Sequence, residues 1–423
     1  ELRIGIKLKS RNSGVLKLMR VSFMFIAIGI FVLLYTFIGW RILSPLNLIQ
    51  PWKSLIWTGV FVAAALPIVL VVMRINQIET AVNDAVSWLA YISFGFVSIL
   101  LFFVVLKDLV FLGGFIISKI QSIFLPGTAE AMGGSELGSS GDSRRQMIWT
   151  TVNFAILGLT GVMTGCGMVL ARYRIKIEKV TVPLSHLSKA FQGLRIVQIS
   201  DIHVGPTIKG AFVREVVERV NALQPDIIVV TGDLIDGSVS FLEKDVSPLS
   251  ELKAPHGKFF IPGNHEYYSG VFPWLKKIKT LGFDVLLNEH RVITKSGANL
   301  VLGGVTDISA GRMVPEHRSD PVASLKGAPE AEAKILLAHQ PISVYEASKA
   351  GYDLQLSGHT HGGQYFPYSK LIGMAQPFVA GLYKHEKTWL YVNRGTGYWG
   401  PPMRLGAPAE ITEITLNREE KTV

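Results

Sequence analysis

The sequence predicts a multi-span α-helical membrane region followed by an α/β domain of two packed β-sheets flanked by helices. Three observations lead there. Only 17% of the 423 residues are charged, against about a quarter in a typical soluble domain. The charge is unevenly shared: residues 1–179 carry 17 basic and 8 acidic side chains, whereas residues 180–423 carry 25 and 24. All ten histidines lie in the second part. The chain is therefore expected to divide into a transmembrane region, 1–179, and a catalytic domain, 180–423.

Within the first part, Val21–Trp40, Ser54–Met73, Ala85–Leu106 and Gln146–Ala171 contain no charged residue. A bilayer crossing takes about 20 apolar residues, so each run is long enough to span. Pro67 falls inside the second run, where a membrane helix tolerates it better than a soluble one. Lys107–Leu125 is uncharged apart from Lys107, Asp108 and Lys119. It reads either as a fifth, short span after a tight turn at Lys107–Asp108 or as an extension of the third helix. No charged residue lies deep in a span beside a partner, so nothing suggests a transport path.

Arg3, Lys7, Lys9, Arg11, Lys17 and Arg20 precede the first run, and the positive-inside rule puts this N-terminus in the cytoplasm. Arg144 and Arg145, before the last run, read the same way. Keeping both on one side takes an even number of crossings between them. Five spans in a cell-membrane protein, with an extracytoplasmic catalytic domain, are the expectation. Arg172, Arg174, Lys176 and Lys179 beyond the last run argue for the opposite side. Gly127–Asp142, rich in Gly and Ser, is expected to be a loop.

The composition also excludes some classes. A nucleic-acid binder carries its basic surplus on a folded polar surface, not in the apolar half. Cys166 is the only cysteine, which excludes a disulfide framework and a cysteine-based zinc site.

From about Val180 the pattern changes to short β-rich runs. Strands are expected at Arg195–Ser200, Asp226–Val230, Lys258–Ile261, Asn299–Gly303, Lys334–Leu337, Asp353–Leu356, Trp389–Val392 and Glu410–Leu416. Lys209–Leu223 is an amphipathic helix, with Phe212, Val216, Val220 and Leu223 near one face. Strands and helices alternate at first and strands dominate later, which fits two sheets with helices outside.

Five of these strands run within three residues into Asp, Asn or His. They lead to Asp201-Ile202-His203, Gly232-Asp233, Gly263-Asn264-His265-Glu266, His339 and Gly358-His359-Thr360-His361. Ligands bind at the carboxyl ends of strands in α/β sheets. Each fragment alone is a common turn or a structural histidine; five in order form a pattern. Seven oxygen and nitrogen donors without sulfur suit two borderline divalent ions, Mn, Fe, Zn or Co.

These motifs together resemble the motif set of the calcineurin-like metallophosphoesterases, over about Leu194–Leu416. Gly362-Gly363-Gln364 and the ending Asn393-Arg394-Gly395, Met403-Arg404 and Pro408-Ala409-Glu410 resemble its membrane-anchored bacterial branch. That branch includes membrane phosphodiesterases and UDP-diacylglucosamine hydrolases, in which the ending is usually Pro-Pro-Glu. The resemblance implies a four-layer sandwich and two metal ions. One would be held by Asp201, His203 and His361, the other by Asn264, His339 and His359, with Asp233 bridging. His265 is placed to protonate the leaving oxygen or stabilise the transition state, and Glu266 to orient it or cap a helix rather than act itself.

Arg394 and Arg404 are candidates for phosphate recognition, since guanidinium matches phosphate geometry; a salt bridge or turn support is the other reading. Tyr267, Tyr268, Phe272, Trp274, Tyr365, Phe366, Tyr368, Leu371 and Ile372 flank the site as an apolar rim or as core. A catalytic domain tied to membrane helices favours a phosphoester or pyrophosphate of a lipid or lipid-linked substrate at the bilayer. A phosphatase or nucleotidase acting on a soluble substrate is the alternative, and a non-catalytic signalling or transport protein is a more distant one.

Overall fold

The computed structural model describes residues 26, 28–76, 78–124 and 139–419. Among these, four helices are long and apolar enough to cross a membrane. They are α1 (Ile28–Leu46), α2 (Trp52–Ile75), α3 (Ala81–Phe124) and α4 (Ser139–Tyr173).

The expected fifth span is corrected here. As far as Phe124, residues 107 onward simply continue α3, a single helix of 44 residues. No proline interrupts it, and the charged pair that suggested a turn is held sideways instead. Asp108 forms an ion pair with Arg41 of α1. Lys107 Nζ donates to Asn153 Oδ1 of α4 at 2.8 Å, and both side chains are buried. The Asn153 amide in turn donates to the carbonyls of Arg41 and Ile42 near the end of α1. The expectation that no span contains a partnered charge gives way with it. Ser139–Asp142, part of the expected loop, opens α4; residues 127–138 of that loop and Leu125 lie outside the described residues.

Glu79–Asp84, in the connection between α2 and α3, forms one compact unit with Met163–Val423. The Glu79 carboxylate accepts from the Ser238 amide at 2.8 Å and from its hydroxyl. Asp84 pairs with Lys209 at 3.0 Å.

In this unit twelve strands form two six-stranded mixed sheets. The first has the order β1 (Ile175–Leu184), β12 (Ala409–Arg418), β2 (Arg195–Ile199), β3 (Ile227–Val230), β4 (Lys258–Phe260), β5 (Asp284–Val285). The second has the order β10 (Gly381–His385), β11 (Thr388–Val392), β9 (Leu354–Ser357), β8 (Ala333–Leu337), β7 (Ala298–Gly304), β6 (Glu289–Lys295). Alternation along each strand builds the layers. Ile196, Ile227 and Val229 face the other sheet and pack with Leu300, Leu302, Ile335 and Leu354. Val197, Ile228 and Val230 face outward onto α5 (Gly210–Ala222) and α6 (Val271–Thr280). Leu336 and Ala338 pack against α7 (Val344–Ala350) on the far side. Helix, sheet, sheet and helix are the four layers.

All eight expected strands and the helix at 209–223 are present, with ends shifted by a residue or two. Strand β1 starts at Ile175, before the change in pattern at Val180, and pairs in parallel with β12. Its Lys176 and Lys179 read in sequence as basic residues flanking a span.

Candidate metal centre

Strands β2, β3 and β4 lie side by side and parallel in the first sheet, and β8 and β9 do so in the second. Their carboxyl ends converge, so residues as distant in the chain as Asp201 and His361 meet in one cluster. Two buried bonds join the sheets there. Gln198 Nε2 donates to Ser357 O at 2.9 Å, and His339 Nδ1 to Thr231 O at 2.7 Å. The second bond fixes the His339 tautomer and turns Nε2 toward the cluster.

The seven sequence-predicted donors are brought together. Asp201, His203 and His361 present ligand atoms within 4.8 Å of one another, as do Asp233, His339 and His359. Asp233 Oδ2 is 3.2 Å from His339 Nε2 and 3.8 Å from His203 Nε2, so one carboxylate lies between the two groups. Asn264 Oδ1 and His359 Nδ1 are each 3.2 Å from His339 Nε2. His203 Nε2 and His361 Nε2 face each other at 3.1 Å. Lone pairs pointed at each other in a buried site are the arrangement that a cation accommodates, so this donor set fits divalent metal.

The backbone is bent to make this possible. Asp201, His203, Asp233, His359 and His361 all have φ between 50° and 73°, a left-handed conformation that costs a non-glycine residue energy and gathers at functional sites. Glycines supply the close approaches. A Cβ on Gly263 would overlap Asp233 Oδ1, and one on Gly358 would overlap Asp201 Oδ2.

Electrostatics follow from burial. Burial pushes the Asp201 carboxyl up to about 6, with the nearby Asp233 adding to it. Burial also pushes His203 down to about 3 and His359 to about 4, so both imidazoles are neutral donors. For Asp233 burial is outweighed by His339, His265 and His203, which hold it well below the usual carboxylate range.

His265 stands at the edge of the cluster, its Nε2 4.0 Å from Asp233 Oδ2. Its Nδ1 donates to Asp236 Oδ1 at 3.2 Å. Burial opposes its protonated form, but the bond to Asp236 and the charges of Asp233 and Asp236 outweigh this and raise its pKa. The rings of Tyr268 and Trp399 flank it edge-on, each with centroids 5.4 Å away. Both are exposed. Glu266 is fully buried and accepts from the amides of Asp233, Leu234 and Gly263 at 2.7–3.0 Å. It therefore orders the two loops that carry Asp233 and His265.

The structure holds both candidate phosphate-recognition arginines in supporting contacts. Arg404 is 1% exposed. Its guanidinium donates to the carbonyls of Gly397, His361 and Arg394 and to His361 Nδ1. Arg394 Nη1 pairs with the buried Glu410 at 2.5 Å. Of the aromatic rim, Trp274, Tyr267 and Tyr365 are core, whereas Tyr268, Phe272, Tyr368 and Leu371 are exposed.

Sequence reasoning missed Asp236 and Trp399. Asp236 follows Asp233 by three residues on the same loop, a spacing with no signal of its own. Trp399 reaches Asp236 Oδ2 through its Nε1 at 3.2 Å. It is placed by Gln364, which bonds the Trp399 amide and carbonyl.

A family model for calcineurin-like phosphoesterases matches residues 194–363. A transmembrane protein with metallophosphoesterase domain from Danio rerio is 35% identical over 349 residues, covering 80% of this chain and 76% of that one. The chain belongs to the calcineurin-like phosphoesterase family. An uncharacterized metallophosphoesterase of Helicobacter pylori is 40% identical over 269 residues, covering 62% of this chain and 70% of its own. Among solved structures, a 5'-nucleotidase precursor from Thermus thermophilus is 18% identical, with a TM-score of 0.35 over 53% of this chain and 54% of that one. The chain is thus a phosphoesterase with, among the described residues, four apolar helices in its N-terminal region, and its family uses divalent metals.

Proposed function

We propose that this phosphoesterase works with two divalent ions and hydrolyses a lipid or lipid-linked phosphoester at the membrane surface. One ion is assigned to Asp201, His203 and His361, the other to Asn264, His339 and His359, with Asp233 shared. The observation that carries this reading is Asp233 Oδ2 lying between His203 Nε2 and His339 Nε2. Each oxygen of one carboxylate can face a different cation. Bound ions there would supply an activated water and positive charge against the phosphoryl oxygens. His265, backed by Asp236, delivers a proton to the departing oxygen. Tyr268 and Trp399 beside it offer an apolar mouth for the leaving group, which supports a substrate with a large apolar portion.

Four crossings change the expected sidedness. With the basic segment before α1 in the cytoplasm, an even number of crossings returns the catalytic domain to the cytoplasmic face. Arg172, Arg174, Lys176 and Lys179 agree with that orientation. So does Glu79, because five crossings would put the α2–α3 connection and Ser238 on opposite faces of the membrane. A reporter fused after Val423 should be active in the cytoplasm; an external signal would sink this topology.

The activity is tested on the full chain in detergent with Mn added, against phospholipids, UDP-linked lipids, polyprenyl phosphates and soluble nucleotides. Turnover of a lipid class above the nucleotides is expected. Equal or faster nucleotide turnover would establish the soluble-substrate alternative. His265→Ala should keep its metal and lose about 10²- to 10⁴-fold in turnover; full activity would remove His265 from the mechanism.

A further inference from the structure

Beside the metal centre, but separate from it, a cavity of about 190 Å³ is lined by Leu170, Arg174, Lys176, Arg404, Gly406 and Pro408. We propose that it is a binding site for the phosphate headgroup of an anionic phospholipid.

Its position carries the first argument. Leu170 is in the last turn of α4, and Arg174 and Lys176 follow the end of that helix at Tyr173. The cavity therefore opens where the apolar run of the last span ends, at the level of lipid headgroups. One wall is apolar, from Leu170 and Pro408, and the other is basic. Drug-sized ligands occupy roughly 300–1,000 Å³, so this space takes a headgroup and excludes a whole acyl chain.

Charge carries the second. Among the described residues Arg174 makes no ion pair, and it is exposed. Lys176 Nζ has a single carboxylate partner, Glu178, at 2.5 Å. Arg404, buried at the back, has its donors taken and its charge faced by Asp201 and Glu410. Arg174 and Lys176 thus bring two cations to the cavity with one neighbouring carboxylate, Glu178. A phosphodiester headgroup completes that balance, and a forked guanidinium is the group that grips it.

The same cavity touches the route to the metal centre. The Arg404 amide donates to Gly167 O of α4 at 2.9 Å, while its guanidinium bonds His361 Nδ1 at 3.1 Å. Lipid held by Arg174 would thereby steady the segment that supports a predicted metal ligand. This consequence rests on the two-metal reading; the binding itself does not.

The test uses the full chain in detergent and counts retained lipid by native mass spectrometry. The probes are dioleoyl phosphatidylglycerol, dioleoyl phosphatidylcholine and inorganic phosphate. Phosphatidylglycerol should bind in preference to phosphatidylcholine. A juxtamembrane cation is worth about fivefold, so Arg174→Gln with Lys176→Gln should weaken retention about 30-fold. Arg174→Lys with Lys176→Arg should restore most of it, which separates charge from misfolding. Arg144→Gln, near the opposite end of α4, should change nothing. Equal retention by wild type and the double Gln variant would overturn the proposal, as would an equal loss in Arg144→Gln. Inorganic phosphate binding as tightly as the lipid would reassign the cavity to a soluble anion.

Discussion

Asp236 and His265 form an acid–imidazole pair, with Asp236 Oδ1 3.2 Å from His265 Nδ1. The carboxylate fixes the ring's tautomer, turns Nε2 toward Asp233 and favours the imidazolium. Its second oxygen is held by the Trp399 indole. The pair therefore couples proton delivery to the exposed aromatic mouth of the site.

Asp236→Asn tests that coupling. The amide keeps the shape but removes the charge that raises the His265 pKa. His265 should then lose its proton at lower pH, and the alkaline limb of the pH–rate profile should move down. Turnover should fall about 10- to 100-fold, the usual cost of losing such a support, with metal content unchanged. An unmoved alkaline limb would show that Asp236 is merely structural.

Gly358 offers a test of close approach. A Cβ there would overlap both Ser200 Oγ and Asp201 Oδ2. Gly358→Ala should displace Asp201 and weaken metal binding at least about tenfold, the scale of loss for a disturbed ligand support. Circular dichroism should show the sheets intact. Wild-type metal affinity in this variant would contradict the placement of Asp201 against the β9 turn.

Arg404 is predicted to act through stability. Arg404→Gln leaves the buried carbonyls of Gly397, His361 and Arg394 short of donors. A buried acceptor left unsatisfied costs about 1–3 kcal/mol. Denaturant titration should report a loss on that scale. A higher KM with no loss of stability would restore the phosphate-recognition role.

Much of this was readable from the residues, for identifiable reasons. The central strands of the two sheets are buried on both faces, so Ile227–Val230 and Ile335–Leu337 appear as unbroken apolar runs, and each is followed within three residues by its functional residue. The long apolar helices are equally legible through their length and lack of charge. The extent of the third helix was not, because the partners of Lys107 and Asp108 are Asn153 and Arg41, 46 and 67 residues away in sequence. The same holds for Arg404. Sequence reveals a guanidinium beside a phosphoesterase motif, whereas its role depends on carbonyls gathered from two loops. Asp236 was invisible because a carboxylate three residues after another is common, and only the fold brings His265 to it.

Elemental analysis of the purified full chain tests the central claim most directly. After Mn is added and excess removed, the wild type should retain two divalent ions per chain, and Asp233→Asn should retain at most one. A wild-type chain that holds no divalent metal, or an Asp233→Asn variant that holds as much as wild type, would contradict the two-metal account.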